Sequence, residues 1–172
     1  MELGNVVWRI NWVDILILIL LIRTSYVGYT RGLSSEVMPL IATFAALVIS
    51  LHFYGRIGAF ITNHTPLSST LSNFTSYAFI GFSIIYLFHL AMVFLRGKVI
   101  NVQVETLYDT IFGLTFGIFR GILLVSFIVF ALGIAPISYI RDSAKQRSLM
   151  GEKFSKVGPL IHTRTMRIIK RN

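Results

Sequence analysis

Residues 109–121 read Asp-Thr-Ile-Phe-Gly-Leu-Thr-Phe-Gly-Ile-Phe-Arg-Gly, inside an apolar run that continues to residue 135. Three glycines, Gly113, Gly117 and Gly121, recur here every four residues. On a helix, each step of four turns about 40° past a full turn, so the glycines form one slowly drifting groove. In lipid such a groove lets another helix backbone come close, because apolar tails give side chains no reason to prefer one another. Asp109 and Arg120 stand eleven residues apart. That spacing puts them within about 20° of one face and about 16 Å apart in depth. Charges at such depth are costly in hydrocarbon and must face protein or water. Two readings stay open: a packing seam with one structural ion pair, or a polar path lined by the same face.

Composition places this stretch in a membrane. Of the 172 residues, 55% are apolar, and the mean hydropathy of +0.73 is too high for an ordinary soluble domain. The length suits one domain. There is no cysteine, which excludes a disulfide framework and a thiolate metal site. The first residues carry Glu2 and only Arg9, with no small-residue cleavage site after the first apolar run, so that run reads as a retained anchor.

The expected fold is an all-α integral membrane protein of about four transmembrane helices with a basic C-terminal tail. The spans fall at about 13–30, 37–53, 77–95 and 111–135, each near the roughly 20 residues that cross a bilayer core. They make a membrane domain over residues 1–140, followed by a tail at 141–172. The first span carries Asp14 at its mouth and Arg23 in its middle, with Trp12, Tyr26 and Tyr29 near its ends. The second has Pro39 in its first turn, where a missing N–H is tolerated. The few residues joining these two, Arg31, Gly32 and others including Glu36, predict an antiparallel hairpin. Residues 55–76 are rich in Ser, Thr and Asn and read as a loop. Residues 96–108 read either as a short extended piece or as a surface link.

The tail holds nine Lys or Arg against Asp142 and Glu152, +7 of the chain's +9. It follows a membrane span and has few aromatic residues to stack on bases, which argues against nucleic acid and for anionic lipid headgroups. It reads either as a short interfacial helix, with Leu160, Ile161, Met166, Ile168 and Ile169 on its apolar side, or as a disordered cytoplasmic tail. Counting basic residues on alternate sides gives eleven against three and puts both termini in the cytoplasm.

No catalytic, cofactor or metal constellation emerges. His52, His64, His89 and His162 are scattered, and none is spaced with a carboxylate like a metal site. The glycines are spaced along a helix rather than gathered in a phosphate loop, so an enzyme is not expected. One internal echo stands out: Gly28-Tyr-Thr-Arg31-Gly32 in the first span against Gly117-Ile-Phe-Arg120-Gly121 in the fourth, each with an acid upstream. The two helices run in opposite directions, as in inverted repeats.

Trp12-x-Asp14, Arg31-Gly32, Glu36 and Asp109-x-x-x-Gly113-x-x-x-Gly117-x-x-Arg120-Gly121 together resemble the colicin V production protein (CvpA) family. The similarity covers about half of the chain, residues 12–54 and the fourth span. The resemblance implies a small bacterial inner-membrane protein linked to colicin V production or export and to envelope upkeep. Arg23 departs from the family pattern, which implies a first span that is tilted or partly exposed to water. The tail is also more basic than the pattern requires.

Two function classes follow. In the first, a homo-oligomer brings Asp14, Arg23, Asp109 and Arg120 around a transport path; four spans alone are too few to enclose a wide pore. In the second, the glycine face of Gly28, Gly32, Gly113, Gly117 and Gly121 docks a partner helix of a secretion or envelope complex. Arg31 and Asp109 should lie on the same side of the membrane and touch, directly or through Glu36, because buried charges need partners.

Overall fold

The computed structural model describes residues 11–95, 106–144 and 151–169, and these are helical with short connections. The helices are α1 (Trp12–Arg31), α2 (Leu33–His64), α3 (Ser69–Leu95), α4 (Thr106–Gly133), α5 (Ser138–Asp142) and α6 (Gly151–Ile169). The first four are long and apolar enough to cross a membrane. The chain is thus an all-α membrane protein. Residues 96–105, most of the stretch read as extended or surface link, lie outside the described residues.

Local chemistry sets the start of α1. Asn11 Oδ1 accepts from the Trp12 N–H at 2.8 Å, and the Asp14 carboxylate accepts from the Asn11 N–H at 3.0 Å. That reciprocal cap satisfies donors a helix start otherwise leaves orphaned. Asp14 therefore belongs to its own helix end. At the other end, Gly32 takes φ of 75°, a left-handed value that favours glycine, and its N–H closes on the Gly28 carbonyl at 3.2 Å. The next helix starts at once.

α2 departs from the expected 37–53 at both ends. It begins at Leu33, so Pro39 lies inside the helix and leaves the Ser35 carbonyl without its usual N–H donor. It also runs on to His64, through most of what reads as loop, and only residues 65–68 separate it from α3. The small polar residues of this region pack instead of turning. Ser72 and Ser76 are buried, and a side chain on Gly58 would run into Asn73. Small residues let two helices approach closely in lipid, which overrides their loop preference in water. A further tie holds α3 to α4: the buried Tyr77 hydroxyl donates to the Phe127 carbonyl at 3.3 Å, and their rings stack with centroids 4.8 Å apart.

The expected α1–α2 hairpin forms in sequence but not in packing. The two helices part at Gly32, and α4 packs against both, on α1 along one face and on α2 along another. α2 in turn carries α3. α6 docks on α4 and α2 near the end of the bundle that holds the start of α1. Phe154 meets a cluster of Val13, Ile17, Val125 and Val129, and Ile161 meets Leu47, Leu51, Tyr77 and Phe127. Between them Gly158 is buried, close to Leu47 and Leu51. Lys156, Arg164 and Arg167 lie on the opposite, exposed side. Of the two readings of the tail, an amphipathic helix describes residues 151–169.

Candidate functional site

The glycine groove of α4 is filled by α1. A Cβ on Gly113 would come within 2.8 Å of the Gly32 Cα, and one on Gly117 within 2.7 Å of the Thr24 carbonyl oxygen. A Cβ on Gly28 would strike the Gly113 carbonyl, and one on Gly121 the Thr24 hydroxyl. The two echoing segments therefore meet each other, antiparallel and backbone to backbone. Neither leaves room for a third helix.

The charges sort differently from the expected Arg31–Asp109 contact. Asp109 Oδ1 accepts from the Leu33 N–H at 2.8 Å, capping α2 across space. Gly32 cannot cap α2 with a side chain, and a side chain there would collide with Asp109. The acid at the start of α4 thus locks the α1–α2 corner, as a carboxylate at a helix N-terminus should. Glu36 pairs with Arg120: Nη1 donates to Oε2 at 2.6 Å, joining α2 to α4. Arg31 forms no ion pair among the described residues. The physical reason is reach. Arg120 lies about 16 Å below Asp109 along α4, and its side chain leans back toward that helix's N-terminus, where Glu36 enters from the first turn of α2.

This pair is desolvated and incompletely satisfied. The Glu36 side chain is 1% exposed and that of Arg120 15%. Glu36 Oε1 is buried with no hydrogen-bond partner. Beside the pair, a cleft of about 650 Å³ runs between α2, α3 and α4. Arg31, Arg120 and His89 supply its ionisable lining, and the wall is otherwise mostly apolar, with Met38, Phe88 and Met92. Arg23 joins neither seam nor cleft. Its side chain is exposed on α1, about 16 Å from the Trp12 end, and no ion pair includes it among the described residues.

The histidines are less scattered than their spacing suggests. His162 Nε2 lies 3.4 Å from His52 Nδ1, joining α6 to α2. Burial, and then the nearby His52, pushes the His162 pKa below the usual histidine value. The two are 110 residues apart, so no local pattern announces the contact.

The family described as Colicin V production protein matches residues 13–159, most of the chain. No curated protein and no solved structure gives a significant match.

Proposed function

The chain belongs to the colicin V production protein family, and from that premise we propose that it serves colicin V production and export as a transport-type protein of the bacterial inner membrane. The observation that carries this reading is the Glu36–Arg120 pair within the spans, with one carboxylate oxygen unsatisfied and a cleft alongside. A pair kept only to hold helices together does better with every lone pair occupied, since an unmet buried polar atom costs stability. A carboxylate with one unmet oxygen, held behind the cleft by the cleft-lining Arg120, suits a pair whose charge a passing solute meets through Arg120.

The working unit is a homo-oligomer. Arg23 on the outer face of α1, in mid-span, needs protein or water against it, and a second copy supplies both. The basic residues after the last span favour a cytoplasmic tail by the charge rule, and an even number of spans puts the N-terminus on the same side. There Lys156, Arg164 and Arg167 on the exposed side of α6 attract anionic lipid, at about 1 kcal/mol per basic residue. The runner-up is a non-transporting interaction protein of a secretion or envelope complex. Because α1 fills the glycine face, such a partner has to use another surface, and the Arg23 side of α1 offers a charge there.

Purified protein reconstituted in vesicles tests the choice. The double variant Glu36→Gln with Arg120→Gln keeps shape and hydrogen bonding while removing both charges. Transport predicts unchanged assembly with altered flux per molecule. Wild-type protein that passes no tested ion or solute, yet captures an envelope protein through Arg23, decides for the interaction reading. A reporter fused after Arg171 that is active only outside the cytoplasm should stay silent.

A further inference from the structure

We infer that the cleft between α2, α3 and α4 binds an anionic amphiphile, a molecule with one acidic headgroup on an apolar body. Its volume of about 650 Å³ falls within the range of roughly 300–1,000 Å³ typical of small-molecule sites. The polar groups are few and of one sign. Arg31 and Arg120 reach the lining, no Asp or Glu among the described residues does, and the charge of Arg120 is already met by the buried Glu36. What remains is the exposed Arg31, at the helix end where the chain leaves the membrane. One unmatched positive charge asks for one negative headgroup.

The rest of the lining argues for a tail. From Met92 down to Ile85 on α3 the cleft descends about 10 Å into the spanning region. Phe88 and Leu124 continue an apolar wall there. A bare hydrated anion would lose water against this wall with little return. A hydrocarbon body is at home on it, and the flexible Met38 and Met92 adapt to varied shapes. As the cargo class of the proposed transport, the inference rests on that reading. Binding is measured without flux, however, so the two fail separately.

The experiment uses the full-length protein in phosphatidylcholine nanodiscs with tritiated dodecanoate as probe. Saturable binding is expected, displaced by dodecyl phosphate and not by dodecanol or dodecyltrimethylammonium. Arg31→Gln should weaken it about tenfold, the worth of one charge-assisted hydrogen bond. Met38→Trp, at a position 37% exposed, should fill the cleft and abolish binding while elution on size exclusion is unchanged. Displacement by phosphatidylglycerol in the disc identifies a membrane lipid as occupant, and its failure to compete identifies a free amphiphile; both carry the same chemistry. The inference is overturned if dodecanol competes equally, if inorganic phosphate alone displaces the probe, or if both variants bind like the wild type.

Discussion

Along α4, the face toward α1 carries Gly113, Gly117 and Gly121 pressed onto Thr24, Gly28 and Gly32, whereas the face toward α2 carries Arg120 reaching for Glu36 beside an open cleft. The first contact has no spare volume and needs no side-chain chemistry. Its strength is shape, the close approach of two backbones that lipid permits when side chains are absent. The second keeps a buried carboxylate with one oxygen unmatched, and space next to it. One helix thus holds a close-packed seam on one side and an incompletely satisfied charged contact on the other. A site can be left incompletely satisfied when its neighbour is tightly registered.

The sharpest way to break the comparison is to unbalance the charged side. Arg120→Leu strands a buried Glu36 and should cost about 3–5 kcal/mol, read as lost monodisperse protein and a lower thermal midpoint. Adding Glu36→Leu should recover most of that loss, because an apolar pair of similar volume removes the stranded charge. A double variant no better than the single would mean that the pair does not join α2 to α4 as described.

The glycine side should respond to bulk alone. Gly28→Ala drives a methyl group into the Gly113 carbonyl, and overpacking of this kind costs about 1–3 kcal/mol. The same measurements apply, and here a compensating charge change should rescue nothing. If Gly28→Ala is silent, the seam is looser than its geometry implies.

A third, smaller effect tests whether α6 is fixed to this bundle or detachable. The pKa of His162 is lowered in the docked helix. Docking stability is therefore fully present above the ordinary histidine value of about 6.5 and is lost as pH falls below it toward the depressed value. With no native cysteine, spin labels at Arg56→Cys and Arg167→Cys can report the α2–α6 distance. Acidification should broaden or lengthen it, and His162→Phe should abolish that pH response. A distance that ignores pH in both proteins would rule out the histidine contact as a control on docking.

The mildest change is the control for glycine itself. Nothing lies within 4 Å of a Cβ built on Gly55, so Gly55→Ala should shift stability by no more than about 1 kcal/mol, in the favourable direction. Thermal midpoints of Gly28→Ala and Gly55→Ala, taken side by side, separate glycine needed for contact from glycine merely tolerated.

Much of this arrangement was legible in the chain. Four apolar stretches near membrane length, and the four-residue glycine spacing of α4, follow from composition and helix periodicity. The residues of the charged site were also visible, since Glu36 and Arg120 stand out in apolar surroundings. Their pairing was not. By position Arg31 is the natural partner of Asp109, since both sit at helix ends on one side, yet the Asp109 carboxylate goes to the Leu33 N–H. The extent of α2 is hidden from the sequence for a related reason. Ser, Thr, Asn and Gly between residues 55 and 76 break helices in water, where their backbone can turn to solvent. Against a neighbouring helix they are the residues that fit.

The sequence by itself determined that this is a helical membrane protein, because a run of apolar residues in lipid must satisfy its backbone hydrogen bonds within itself. It determined too which helices carry a groove and which carry charge, since both are periodic properties of one strand of residues. Only the tertiary structure decided that α4 passes between α1 and α2, that Glu36 meets Arg120 84 residues away, and that His162 returns to His52. Those contacts depend on how rigid helices are placed side by side, and in lipid that placement is chosen by packing and polar contacts between them. Hydrophobicity, which the sequence displays most plainly, is nearly silent on that choice.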